Sequence, residues 1–263
     1  QSPLTKETTT LRTLLTFVIV AATKKYPSTK ELASYLDENY GARLSTNIAT
    51  KGKSQTINVY SSFVNDVYLP INESLLVRQI QLLSDLFFNP LVQDQKFDEE
   101  IVKMKKKELK ERLQVNKDDK FSYSLDKLFE YMGKNHTLGI PSTGYEDEID
   151  TISSHDLYKY FLETIQNDEK HLYVVGDIDE SIIDILNQHL QFPENNKDYP
   201  SAYSFDSQSQ DVLEIIEEQD LTQSKLNMGY RIDCDFTSNH HYAFTVFNAL
   251  FNFFVTKLIM TIF

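Results

Sequence analysis

Leu11-Arg12-Thr13-Leu14-Leu15-Thr16-Phe17-Val18-Ile19-Val20-Ala21-Ala22-Thr23-Lys24-Lys25-Tyr26-Pro27-Ser28 is the stretch on which the reading of this chain turns. Leu11, Leu14, Leu15, Val18 and Ile19 recur at i, i+3, i+4, i+7 and i+8, which predicts a helix over residues 11–22. Phe17 and Val20 add apolar surface to its remaining face, so the helix is expected inside the protein. Residues 23–27 then form a polar turn. Ser28 with Glu31 three positions on makes a capping box for a second helix ending near Gly41, with Leu32, Tyr35 and Leu36 as its buried stripe.

Outward from this pair, residues 44–50 and 56–63 alternate loosely as half-buried strands do. Residues 73–88 read as an amphipathic helix through Leu76, Ile80, Leu83 and Phe87, stopped by Asn89-Pro90. A long helix follows over residues 94–115, with Glu99/Lys103 and Glu108/Arg112 at i,i+4, so its charge run reads as a solvated face. Ser153 and Asp156 cap a helix to about residue 163. Leu172-Tyr173-Val174-Val175 reads as a short strand ended by Gly176-Asp177, and Asp179 opens a helix through Ile182, Ile183, Leu186 and Leu190 that Pro193 ends. Residues 193–210 are polar and make the best linker. Beyond it, residues 212–217 and 226–232 read as strands before a final apolar helix. Strands and helices mix without strict alternation, which predicts an α+β fold.

Composition narrows the partners. The 263 residues carry a net charge of −13 at a pI near 4.9, against the electrostatics of nucleic-acid binding and of docking on an anionic membrane. The single cysteine, Cys234, excludes an intramolecular disulfide and fits a reducing, cytoplasmic setting. Two apolar runs imitate targeting or membrane elements. Residues 14–22, preceded by Lys6 and Arg12, resemble a secretion signal, but Glu7 sits in the would-be basic region. Residues 244–263 have the length of a bilayer span, but Asn248, Asn252 and Lys257 interrupt them, and a core helix is expected instead. Both ends read as interrupted patterns, as in a fragment.

The chemistry-bearing residues do not assemble by spacing. None of His136, His155, His171, His189, His240 and His241 sits in H-E-x-x-H or H-x-x-E-H, the arrangements that put two imidazoles and a base on one helix face. His240 and His241 are adjacent, so a helix would point them about 100° apart, and a loop or helix-start role is expected. Cys234 lies between Asp233 and Asp235, whose charge makes a thiol a poor nucleophile. Seven glycines leave little from which to build a phosphate-cradling loop, and no nucleophile elbow is present. The one alternative metal centre the sequence offers is His136 with Glu146, Asp147 and Glu148, which would make the chain an active metallopeptidase with a rebuilt site.

Four pieces in order and spacing carry a specific resemblance: residues 23–28, Asn89-Pro90, the loop His136-Thr137-Leu138-Gly139-Ile140-Pro141 closing at Gly144, and Val174-Val175-Gly176-Asp177. Together they resemble the insulinase/pitrilysin family of zinc peptidases, which includes the mitochondrial processing peptidases, over nearly the whole chain to about Leu250. In active members the helix before the first piece carries H-x-x-E-H, two imidazoles on zinc and a glutamate that activates water. The resemblance puts those positions on Thr13, Thr16 and Phe17. It puts the third ligand, a glutamate, on Lys105 or a neighbouring lysine.

What it implies is the family's fold without its reaction: helices on an antiparallel sheet, no catalytic residue, no metal ligand and no cofactor. The implied domains are residues 1–192 as a first half lacking its opening strands, 193–210 as the linker, and 211–263 as the beginning of a second half. The implied role is that of an inactive partner of an active zinc-bearing homologue, with a peptide or protein ligand, of the bacterial type connected with elongation factor P modification. The pattern departs after Leu250, where Asn252-Phe253-Phe254 stands in place of a glycine-rich turn.

Overall fold

The structure is a computed structural model and describes residues 1–70, 74–195, 212–230, 232, 234, 237–254 and 260–261. It divides into two compact units, Gln1–Leu113 with Ser142–Ala202, and Gln114–Pro141 with Tyr203–Phe263.

In the first unit, a short strand β1 (Ser2–Pro3) leads into helix α1 (Lys6–Val18). This helix starts five residues earlier than the apolar spacing predicts. Thr8, Thr9 and Thr10 are weak helix formers, but Thr9 and Thr10 are buried there, so packing decides. Helix α2 (Thr29–Glu38) opens with the expected capping box: the Glu31 amide donates to Ser28 Oγ at 3.2 Å, and Ser28 Oγ donates to Glu31 Oε2 at 2.9 Å. Only Leu32 of its expected stripe is fully buried. The hairpin β2 (Arg43–Lys51) and β3 (Ser54–Ser62) follows, with Gly52 at φ 58° in its two-residue turn. A positive φ at the first turn position is what the right-handed strand twist favours, and glycine adopts it without steric cost. The sheet order is β1-β3-β2, all antiparallel.

Helix α3 (Leu75–Phe88) buries Leu75, Gln79, Ile80, Leu82 and Leu86, not the stripe of Leu76, Leu83 and Phe87. The helix is apolar on two adjacent faces, and on the inner one Ser61 Oγ donates to Gln79 Oε1 at 3.2 Å, while Gln79 Nε2 has no partner among the described residues. A further departure follows Asn89-Pro90. Strands β4 (Val92–Gln93) and β5 (Lys96–Phe97) form a tight hairpin, with Asp94 and Gln95 at φ 50° and 58°. The predicted helix start at residue 94 is therefore wrong. Helix α4 (Glu99–Asp118) begins after Asp98, whose carboxylate accepts from the Ile101 amide at 2.9 Å. The hairpin drives Phe97 into the core, edge-on to Tyr158 and Phe161 at 5.5 and 5.6 Å. On α4 the glutamates pair backward: Glu99 with Lys96 at 2.5 Å and Glu108 with Lys105 at 2.7 Å.

Helix α5 (Lys120–Met132) belongs to the second unit, and helix α6 (Ser154–Asn167), capped as predicted by Ser153 on the Asp156 amide, to the first. One core joins Leu14, Leu15 and Val18 of α1 to Val102 and Leu109 of α4 and to Leu157 and Phe161 of α6. Each such side chain contributes about 1.5–3 kcal/mol on burial. Residues 172–175, predicted as a strand, have no ladder partner among the described residues and stand exposed. An apolar run becomes a strand only where a neighbouring edge takes its backbone bonds. Helix α7 (Ser181–His189) starts where Asp179 accepts from the Ser181 amide at 2.8 Å.

In the second unit, Gly133 and Gly139 pack backbone to backbone, so near that a Cβ on Gly133 would stand 2.1 Å from the Gly139 nitrogen. Strand β6 (Met228–Gly229) pairs in parallel with β7 (Met260–Thr261), shorter than the strand predicted over 226–232. Residues 212–217 are exposed and irregular, not a strand. Helix α8 (Asn239–Phe254) begins five residues before the predicted run and exposes Tyr242, Val246, Phe247 and Leu250, so among the described residues it is not the expected core helix. The predicted linker lies largely outside the described residues. No described helix is long and apolar enough to cross a membrane.

Candidate functional site

Helix α1 sets the positions that matter. Thr13 is buried, and its Oγ1 donates to the Thr9 carbonyl at 2.9 Å and lies 3.3 Å from the Ser142 carbonyl. Thr16 is buried as well. Its Oγ1 donates to the Thr13 carbonyl at 2.7 Å, while its own carbonyl accepts from Thr46 Oγ1 of β2 at 2.7 Å. Phe17 is half-buried, with the Arg112 guanidinium 5.8 Å from its ring centre. Lys105 is committed to Glu108.

This donor set does not fit zinc. A catalytic zinc needs three His, Cys or carboxylate ligands and an open position for water. Here the hydroxyls at positions 13 and 16 are turned onto backbone carbonyls, a phenyl ring carries no donor, and an ammonium repels a dication. Among the described residues no group of three or more His, Cys, Asp or Glu side chains is gathered for a metal. Of the alternative set, His136 belongs to the second unit and Glu146, Asp147 and Glu148 to the first. His136 Nδ1 accepts from the Leu138 amide at 3.2 Å, and Glu148 accepts from Thr10 Oγ1 at 2.5 Å. His155 faces the Gln95 carbonyl at 3.0 Å, His171 pairs with Glu169 at 2.9 Å, and His240 and His241 sit at the start of α8 as expected. Cys234 is half-buried and lies outside any strand.

The sequence did not point to the polar network that holds α1 in place. Arg12 is 0% exposed, with NH2 2.7 Å from Asp168 Oδ2 and 3.3 Å from the Gln55 carbonyl, and NH1 3.3 Å from the Tyr160 hydroxyl. Burial works against the guanidinium charge, but the Asp168 carboxylate and Tyr160 outweigh it and hold the Arg12 pKa above its ordinary value. Gln55 Nε2 donates to Thr9 Oγ1 at 3.0 Å and to the Ser142 carbonyl at 2.9 Å. The available signal was a lone cation inside an apolar helix pattern, since a buried charge requires a partner.

Three of the motif pieces prove to be packing devices around this helix. The Lys24 amide donates to the Asn89 carbonyl at 3.0 Å and Thr23 bridges Pro90, so the first two pieces meet. Gly144, at φ 80°, approaches α1 so closely that a Cβ would stand 2.6 Å from Thr10 Cα. Thr10 Oγ1 in turn accepts from the Tyr145 amide at 3.0 Å.

No family model matches the chain. It is 36% identical over 251 residues to the "probable inactive metalloprotease YmfF" of Bacillus subtilis (strain 168), covering 95% of this chain and 59% of that protein. The chain thus spans well under two thirds of that relative's length. Its fold matches a conserved protein from Enterococcus faecalis V583 at TM-score 0.80 and 24% identity, over 95% of this chain and 59% of the other. It also matches the first half of the periplasmic protease PqqL from Escherichia coli at TM-score 0.53 and 17% identity, over 78% of this chain and 43% of that one. The chain therefore carries an α+β fold of the insulinase/pitrilysin-like kind and is by sequence a relative of a probable inactive metalloprotease.

Proposed function

We propose that this is a non-catalytic insulinase-type peptidase homologue that serves as partner subunit to an active zinc-bearing homologue. The carrying observation is the state of Thr13, Thr16 and Phe17: two hydroxyls consumed by backbone carbonyls and one ring packed under Arg112. The scaffold around them keeps its core, caps and close glycine contacts, so what the chain retains is shape. The name of the Bacillus subtilis relative supports the same reading.

In this role the chain completes a peptide-binding cavity in the cytoplasm. Strand β2 is the outer strand of its sheet, and an extended peptide would add to that edge by backbone bonds. Residues 1–192 form the first half of the molecule, 193–210 the linker and 211–263 the beginning of the second half. Modification of elongation factor P is the process in which we place the pair.

The test is co-expression of the full-length protein with a zinc-bearing homologue from the same genome, followed by gel filtration and elemental analysis. A one-to-one complex with zinc on the homologue alone is expected. Two separate peaks would refute the pairing, and stoichiometric zinc on this protein by itself would refute the loss of catalysis.

A further inference from the structure

Strand β2 is nine residues long, against about five to six for an ordinary strand, and its outer edge is unguarded. Natural sheets close such an edge with charge, proline or a bulge. Leu44 to Thr50 contain no charged residue and no proline. The register with β3 runs unbroken from Arg43↔Ser62 to Lys51↔Ser54, so no bulge interrupts it. No other described strand pairs with the far side of β2.

Charge on β2 is confined to its two ends. Arg43 and Lys51 are both exposed. They share one face, because side chains alternate along a strand and these two are an even number of residues apart. Asn47 lies between them on that face and accepts from Asn58 Nδ2 at 2.7 Å. The opposite face carries Thr46, whose hydroxyl bonds the Thr16 carbonyl, and Ile48, which stands across from Ile57 of the core. At about 3.4 Å per residue, the two cations are about 27 Å apart. Neither has a carboxylate partner among the described residues, whereas Lys96, Lys105 and Lys110 pair with Glu99, Glu108 and Asp150. The chain has 39 aspartates and glutamates for 26 lysines and arginines, yet none of the acidic residues falls between Glu38 and Asp66. The open edge is therefore a positive strip on an acidic protein.

We infer that β2 takes an extended acidic peptide with two carboxylates on one face, one meeting Arg43 and the other Lys51, and uncharged residues between them. This rests on the reading of β2 as a peptide-adding edge and supplies the class of its ligand. Backbone bonds along Leu44 to Thr50 hold the added strand, and the end charges set which strand is held and in which register. The net charge of −13 repels the same peptide from the rest of the surface, so the edge is where it collects.

The test uses the 263-residue chain and three capped nine-residue peptides. The first is Glu-Val-Ser-Thr-Ser-Thr-Ser-Val-Glu, the second has lysine at both ends, and the third is Glu-Val-Ser-Thr-Ser-Thr-Ser-Glu-Val. The first two read the same from either end, so strand orientation need not be known. Affinity is read by fluorescence anisotropy with a neutral dye, and location by hydrogen exchange on fragments spanning 43–51. The first peptide is expected to bind about tenfold tighter than the second at low salt, to lose most of that preference at about 1 M salt, and to slow exchange at 43–51. The third turns one carboxylate to the other face and should bind about threefold weaker than the first. Arg43→Glu with Lys51→Glu should invert the order of the first two. Equal binding and equal protection by the first two, or tighter binding of the second, would overturn the acidic class while leaving docking on the edge intact. Equal binding of the first and third would overturn the paired spacing. No protection of 43–51 by any peptide would overturn the inference together with the edge reading beneath it.

Discussion

Asp168→Ala tests the buried network that fixes helix α1. The substitution removes the carboxylate 2.7 Å from an Arg12 side chain with no solvent exposure, while leaving that guanidinium in place. Arg12 Nε lacks a partner among the described residues, so the remaining contacts there are long ones of 3.3 Å to Tyr160 and to the Gln55 carbonyl. Stranding one member of a buried ion pair costs about 3–5 kcal/mol, a large part of the roughly 5–15 kcal/mol that holds a domain folded. For a unit of this size the melting temperature should drop by about 10 °C. The assay is urea and thermal unfolding followed by circular dichroism. Arg12→Met added to Asp168→Ala should recover most of the loss, because an apolar side chain removes the stranded charge while filling similar space. A cost below about 1 kcal/mol for Asp168→Ala, or a double variant less stable than the single one, would refute the network as the anchor of α1.

Further outcomes follow from other parts of the structure. Gly144→Ala meets Thr10 backbone at 2.6 Å in a backbone conformation, φ 80°, that alanine resists, and should cost about 2–4 kcal/mol by denaturant midpoint. Burial, together with Tyr26, pushes the Tyr35 phenol up to about 12. The folded form holds that proton more tightly than the unfolded chain, so the stability it lends is complete below pH 10 and lost as pH rises toward 12. Comparing Tyr35→Phe with the parent by absorbance at alkaline pH checks it, since the variant should lack one late-titrating phenol. Thr13→His, Thr16→Glu and Phe17→His together should still bind zinc at least about 10-fold more weakly than the same protein with Lys105→Glu added, because a third ligand is missing. Equal zinc content in the two by elemental analysis would refute the placement of Lys105. Ser28→Ala should cost about 1 kcal/mol by removing the cap of α2.

Where the sequence was legible, the signal was local. Ser28 with Glu31 and Ser153 with Asp156 announced helix starts because a short side chain bonds an amide three residues away, with no help from distant parts. Where the reading failed, a partner distant in sequence decided. Asp94 and Gln95 look like the start of a charged helix, but they turn a hairpin that carries Phe97 into a core built from α1 and α6. Residues 172–175 look like a strand because β-branched and aromatic residues favour one, but no described edge receives their backbone bonds. Leu83 and Phe87 lost the inner face of α3 to Leu75, Gln79, Leu82 and Leu86, with Ser61 bonding the Gln79 carbonyl oxygen.

The sequence by itself determined which donors exist: hydroxyls at 13 and 16, a ring at 17, an ammonium at 105, and the scaffold motifs that frame them. Those are facts of residue type and order, and no folding can add an imidazole. Only the tertiary structure decided what these side chains do. Thr13 and Thr16 are sealed because Ser142 and Thr46, 129 and 30 residues away, close over α1. Arg12 is held because Asp168 arrives from the end of α6, 156 residues on. Contacts of that range depend on how whole elements pack, and the spacing of residues along one segment does not encode them.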